Sequence, residues 1–137
     1  MNGRAIALLA AAPLLAAIGL TGALTAQAPA APAIVKADLP GRVTFEHQCA
    51  PCHGAGPGDD GAPMLPGTAA LAARYQGALP GALELRDDLD AEALRLFVRN
   101  GIGAMPSFRK AELSDADIDA IADYLAATAR ASIPTTD

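Results

Sequence analysis

The chain has 137 residues, and 15 acidic against 10 basic side chains leave a net charge of −5 at neutral pH. That balance argues against nucleic acid and anionic membrane surfaces as partners. Although 52% of the residues are hydrophobic, there is no Trp, and the large rings come from only 2 Tyr and 3 Phe. So few large apolar side chains make a poor core on their own, and a single small domain of this kind needs something further to complete it.

The first element is an export signal. Met1 to Arg4 is a short positive stretch, no charge follows until Lys36, and Ala5 to Leu24 is dominated by Ala and Leu. Residues 1–30 read as a signal peptide cut near Ala30, which predicts a periplasmic protein. The apolar run, at about 20 residues, is also long enough to cross a bilayer, so an uncleaved anchor is the alternative, and a membrane contact follows only if the segment is retained. Removal of Arg4 with the leader takes the net charge from −5 to −6. Residues 31–40, rich in Ala and Pro, read as a flexible lead-in to a domain at 41–130, with 131–137 as a tail.

The first helix of that domain is predicted from Gly41, Val43, Phe45 and Cys49, an approximate apolar stripe leading into Cys49-Ala50-Pro51-Cys52-His53. C-x-x-C-H is the attachment signature of a c-type haem. Two intervening residues let one helical turn present both thiols to one edge of the porphyrin, and the next residue carries its imidazole beneath the iron as proximal ligand. Three other readings exist. A thioredoxin-like dithiol needs a βαβ pattern, which is missing. Zinc on Cys49, Cys52, His53 and His47 needs a second, distant ligand pair. A plain disulfide leaves His53 unexplained. His47 lies off the apolar stripe and reads as a surface residue.

Gly54 to Gly61 cannot sustain a helix and is predicted to be loop. Beyond it, the Pro63 carbonyl is the candidate acceptor for the second ring N–H of His53, the kind of bond that fixes a ligating imidazole. Met64 has the chemistry of an iron ligand but follows the proximal side, so packing is its expected role. Thr68 is read as the cap of a helix through about Tyr75. Asp90 is the N-cap of another, with Leu94, Phe97 and Val98 as its stripe and Gly101 as its end. Ser114 opens the last helix, with Asp115 and Asp117 in its first turn and Ile118, Ile121, Ala122 and Leu125 buried beside Tyr124. Between these two helices, Gly101 to Phe108 offers one side chain able to bind iron, the Met105 thioether, held by Pro106. Arg95, Arg99, Arg109 and Lys110 flank that loop and read either as a docking face or as ordinary solvated charge completing helix surfaces.

Together, Gly41, Phe45, Cys49, Cys52, His53, Pro63, Met105-Pro106 and Tyr124-Leu125 resemble a class I cytochrome c. The resemblance implies an all-α fold of three to five helices around one covalent haem c, with the first helix crossing the last at Gly41, Phe45, Ile121, Tyr124 and Leu125. The run from Phe97 to Phe108 and the acid-capped helix to Leu125 are similar to the cytochrome subunit of p-cresol methylhydroxylase-type flavocytochromes. That implies a periplasmic carrier of single electrons, taken from an FAD-containing dehydrogenase subunit and passed toward a downstream cytochrome or oxidase. His53 and Met105 together leave no open position for oxygen or peroxide, so the chain is read as an electron-transfer protein rather than an enzyme. A membrane-tethered relay is the alternative. So is a haem sensor or peroxidase-like protein, should Met105 not be a ligand.

Overall fold

A computed structural model describes residues 33–132. The signal, its cleavage near Ala30 and the end of the tail lie outside these residues. The described part is built from five α-helices: α1 (Gly41–Gln48), α2 (Ala50–His53), α3 (Pro66–Tyr75), α4 (Ala91–Asn100) and α5 (Asp115–Ser132). A short 3-10 turn, Leu83–Leu85, stands between α3 and α4. No strand occurs among the described residues, and no helix among them is long and apolar enough to cross a membrane.

The local signals for these helices hold at most ends. Asp90 caps α4, its carboxylate accepting from the Ala93 N–H at 2.8 Å, and Gly101 ends the helix at a φ of 67° that suits glycine. Ser114 and Asp117 cap the start of α5 reciprocally: the Asp117 N–H donates to Ser114 Oγ at 3.1 Å, and the Ser114 N–H donates to Asp117 Oδ2 at 2.9 Å. On α5, Ile118, Ile121, Ala122, Tyr124 and Leu125 are all buried. Thr68 is different. Helix α3 begins two residues before it, at Pro66, and its hydroxyl leaves the helix to donate to the Gly54 carbonyl at 2.7 Å.

The centre of the fold is the crossing of α1 over α5. A Cβ on Gly41 would stand 2.0 Å from the Ala120 carbonyl oxygen and 2.6 Å from the Ile121 nitrogen, so the two backbones touch there. One turn on, Phe45 meets Tyr124 with ring centroids 5.4 Å apart and planes tilted by 45°, a favourable aromatic geometry. Both rings are fully buried. Leu94, Val98 and Leu113 complete this core, and Cys49, Ala50, Met105 and Phe108 pack on its edge. Two stripe residues face the other way: Val43 is 62% exposed and Phe97 40%. Val43 lies two residues from the buried Gly41 and Phe45, about half a turn that carries it away from the core, and Phe97 lies one residue before the buried Val98, about 100° round the helix at the edge of the stripe.

The lead-in is anchored rather than free. The Val35 N–H donates to Ser132 Oγ at 2.9 Å and the Ala37 N–H to Thr128 Oγ1 at 3.0 Å, which lays residues 35–37 along α5. Beneath it lies a buried carboxylate. Glu84, in the 3-10 turn, accepts a short hydrogen bond from the Tyr124 hydroxyl and has Lys36 Nζ at 3.8 Å. Burial, with the Glu84 carboxylate second, raises the Tyr124 phenol above its ordinary value, so it stays a donor.

Candidate functional site

Cys49 sits at the junction of α1 and α2, its N–H donating to the Phe45 carbonyl at 2.9 Å. Cys52 and His53 follow on the single turn of α2. The Cys52 and His53 N–H groups both donate to the Cys49 carbonyl, at 3.1 and 2.9 Å, so the whole C-x-x-C-H is wound on one carbonyl. Pro51 is accommodated because first-turn N–H groups have no partner inside the helix in any case. The two thiols are free and not joined, Cys52 exposed and Cys49 half-buried. Burial, with Cys52 nearby as the smaller cause, pushes the Cys49 thiol up to about 11.

Burial also lowers the His53 imidazole from its ordinary value, which favours the neutral ring a metal requires. Its Nδ1 is buried with no hydrogen-bond partner. The sequence reading gives that N–H to the Pro63 carbonyl, and the structure does not make the bond. Pro63 lies exposed, and the backbone of Gly67 in the first turn of α3 takes the space against Nδ1. A Cβ on Gly67 would fall 2.7 Å from Nδ1 and 2.6 Å from Cε1 of His53, so the bare glycine is a cradle for the ring. With Nδ1 turned inward, Nε2 is the nitrogen left for a ligand. Met64 does not pack as expected and is 39% exposed.

Met105 is presented by a tight loop. The Ile102 N–H donates to the Met105 carbonyl at 3.1 Å and the Met105 N–H to the Ile102 carbonyl at 2.9 Å, closing a two-residue turn. Gly103 supplies its positive φ of 58°. The loop is tied at its end, where the Phe108 N–H donates to the Val98 carbonyl at 2.8 Å and Arg99 Nη1 donates to the Phe108 carbonyl at 2.9 Å. Met105 is half-buried and, like Cys49, packs against the core. The structure thus packs Cys49 and Met105 on one core, and leaves Pro63 and Met64 outside it.

The cations flanking this loop are paired. Arg95 bonds to Asp119, Arg99 to Asp115 at 2.7 Å, Arg109 to Glu112 at 3.1 Å and Lys110 to Asp115 at 2.6 Å. Hydrogen bonds from Arg99 and then Lys110 bring the Asp115 carboxyl down to about 2. The sign follows: with the folded value below the unfolded one of about 3.9, this carboxylate adds stability above pH 4 that disappears as pH falls through 2. Asp115→Asn is expected to lower stability at pH 6 and to flatten the loss between pH 4 and 2, as read by thermal unfolding across pH. Parallel curves for the variant and the parent would refute the pairing.

The donor set fits a c-type haem: two thiols on one turn, an adjacent imidazole with its inner nitrogen buried and unshared, and a thioether on a braced loop. Gly67 and Thr68 escaped the sequence reading as site residues, the only signal being a Gly-Thr pair in the first turn of a helix after a Pro-rich loop.

Comparison with known proteins bears on this arrangement. A search of curated proteins finds no match. The solved structure of an OmcF mutant is similar at 25% identity, covering 67% of this chain and 98% of its own, with a TM-score of 0.42. The family model described as cytochrome C oxidase, cbb3-type, subunit III matches residues 36–125, from the lead-in through the C-x-x-C-H and the Met105 loop to Leu125. The chain belongs to that family, and it is a class I cytochrome c, a haem-based electron carrier.

Proposed function

We propose that this chain is a periplasmic cytochrome with one haem c, attached through Cys49 and Cys52, that relays single electrons from a dehydrogenase toward a terminal oxidase. The observation that carries the reading is the C-x-x-C-H wound on the Cys49 carbonyl, with His53 Nδ1 buried against Gly67. When bound, the haem supplies a one-electron Fe(II)/Fe(III) couple. His53 and Met105 would hold its iron. The cysteines would fix its position, and the braced Met105 loop would keep small molecules away from the metal. A soft thioether favours Fe(II), and His/Met ligation therefore gives a raised potential suited to accepting electrons.

Two partner classes follow from different grounds. The resemblance of residues 97–125 to p-cresol methylhydroxylase-type cytochromes, read from the sequence alone, implies an FAD-containing dehydrogenase as donor. The description of the matching family names a cbb3-type oxidase, which favours an oxidase as acceptor. The experiment is purification from the native host at low salt, where charge-assisted contacts are strongest, followed by a visible spectrum and identification of whatever co-elutes. A haem c spectrum is expected, and its absence would overturn the reading. Flavin in near-equal amount would identify a dehydrogenase partner. Oxidase subunits would place the chain at the terminal step, and haem alone would mark a diffusing carrier. An intact mass lacking residues 1–30 is expected; retention of Met1 would turn the reading to a tethered relay.

A further inference from the structure

We infer that Glu84 sets the reduction potential of this cytochrome: its buried carboxylate, behind the turn that carries the C-x-x-C-H, favours the oxidised iron, and Lys36 is its partial counter-charge. The inference rests on the proposed haem and adds two residues from outside the ligand set. Glu84 is 2% exposed and belongs to the 3-10 turn that packs on α5. Its Oε1 accepts from the Tyr124 hydroxyl and has Lys36 Nζ at 3.8 Å. Glu84 also lines a cavity whose other walls include Ala50, Gly54, Ala55 and Leu65. Ala50 stands between Cys49 and Cys52, and Gly54 directly follows His53. The carboxylate and the turn that bears the thiols and the imidazole therefore face one space.

The charges around Glu84 are ordered by depth. From α5 comes Tyr124, a neutral donor whose phenol is raised by burial first and by the Glu84 contact second. From the lead-in comes Lys36, and from α1 come Glu46 and Arg42, paired with each other at 3.1 Å. Lys36 lies 2.9 Å from Glu46, closer than its 3.8 Å to Glu84, so much of its charge is spent on the outer carboxylate. The side chains of Lys36, Arg42 and Glu46 are 34–38% exposed, against 3% for Glu84. Water screens the outer three, and the inner charge is the negative one. Oxidation adds a positive charge at the iron, so a buried carboxylate behind its ligand turn stabilises Fe(III) and lowers the potential. Lys36 acts with the opposite sign and more weakly, because it is screened.

The test is a spectroelectrochemical titration of the full-length holoprotein and its variants Glu84→Gln and Lys36→Met. In Glu84→Gln the charge is lost at nearly constant shape, and the amide oxygen can still accept from Tyr124. The Fe(II)/Fe(III) ratio at a fixed potential is expected to rise about threefold to tenfold, which for a one-electron couple is about 28–59 mV upward. Lys36→Met is expected to shift the potential downward, and by less. In about 1 M salt, where the Debye length is about 3 Å, the Lys36→Met shift should shrink and the Glu84→Gln shift should persist. Both variants should keep the parent low-spin spectrum. A Glu84→Gln protein with the parent potential would overturn the inference. Shifts of the two variants in the same direction, or with a changed low-spin spectrum, would overturn it too, since they mark a loosened fold or a lost ligand. Where Glu84→Gln fails to accumulate as holoprotein, Lys36→Met decides, and an unchanged or raised potential there refutes the role. A parent protein with no haem c spectrum or no reversible one-electron couple would instead overturn the haem reading on which the inference rests.

Discussion

Replacement of Gly41 by Ala is expected to remove a large part of the stability of the folded chain. On helix propensity alone the change would help by up to about 1 kcal/mol, since Ala is the better helix former. Tertiary contact reverses the sign. The new Cβ would lie 2.0 Å from a backbone oxygen of α5 and 2.3 Å from its carbonyl carbon, and no rotamer can relieve a clash with backbone. The helices would have to separate, and the Phe45–Tyr124 contact, both rings fully buried, would open with them. Overpacking of a core commonly costs about 1–3 kcal/mol, and a backbone clash at the central crossing belongs at or above the upper end. Against a typical stability of about 5–15 kcal/mol, a melting temperature lower by at least about 12 °C is expected for a domain of this size. A melting temperature within a few degrees of the parent would show that α1 and α5 do not approach so closely.

Met105→Ala is expected to act on the iron rather than on the fold. The loop is held by the Ile102–Met105 backbone pair and by the Arg99 bond to the Phe108 carbonyl, none of which involves the Met105 side chain. Met105 is only half-buried, so truncation costs less than the roughly 2–5 kcal/mol of a fully buried methionine. On the proposed ligation, loss of the thioether removes a donor that prefers Fe(II), and the reduction potential is expected to fall. For a one-electron couple each tenfold loss of that preference is about 59 mV, so a hundredfold loss would read as about 120 mV. The low-spin spectrum should give way to one with an open position that takes up added carbon monoxide or imidazole. An unchanged spectrum and potential would remove Met105 from the iron and return an open-site haem to consideration.

Much of the site was legible because its chemistry is local in sequence. Cys49, Cys52 and His53 fall on one turn by spacing alone, and the structure winds that turn on a single carbonyl. The caps at Asp90 and at Ser114 with Asp117 were readable for the same reason, each bond spanning three residues. The stripe on α5 was clear because Ile118, Ile121, Ala122, Tyr124 and Leu125 recur at helical spacing and face one core. On shorter helices the same reasoning overreached, and Val43 and Phe97 were assigned inward when the turn carries them out.

What only the tertiary structure decided joins residues far apart in the chain. Glu84 finds Tyr124 40 positions away, and the lead-in finds Ser132 97 positions away. The flanking cations, evenly suggestive of a docking face in the sequence, are spent on carboxylates of the last helix and the turn before it. At the site itself, the sequence named the residue types for an imidazole and a thioether on iron, because ligand chemistry belongs to single side chains. It placed the support of His53 on the Pro63 carbonyl, and the fold puts the Gly67 backbone there instead. A carbonyl's direction depends on loop dihedrals, and the approach of two backbones depends on how α3 docks on α2. Neither is written in the spacing of residues, whereas the turn that carries the cysteines and the histidine is.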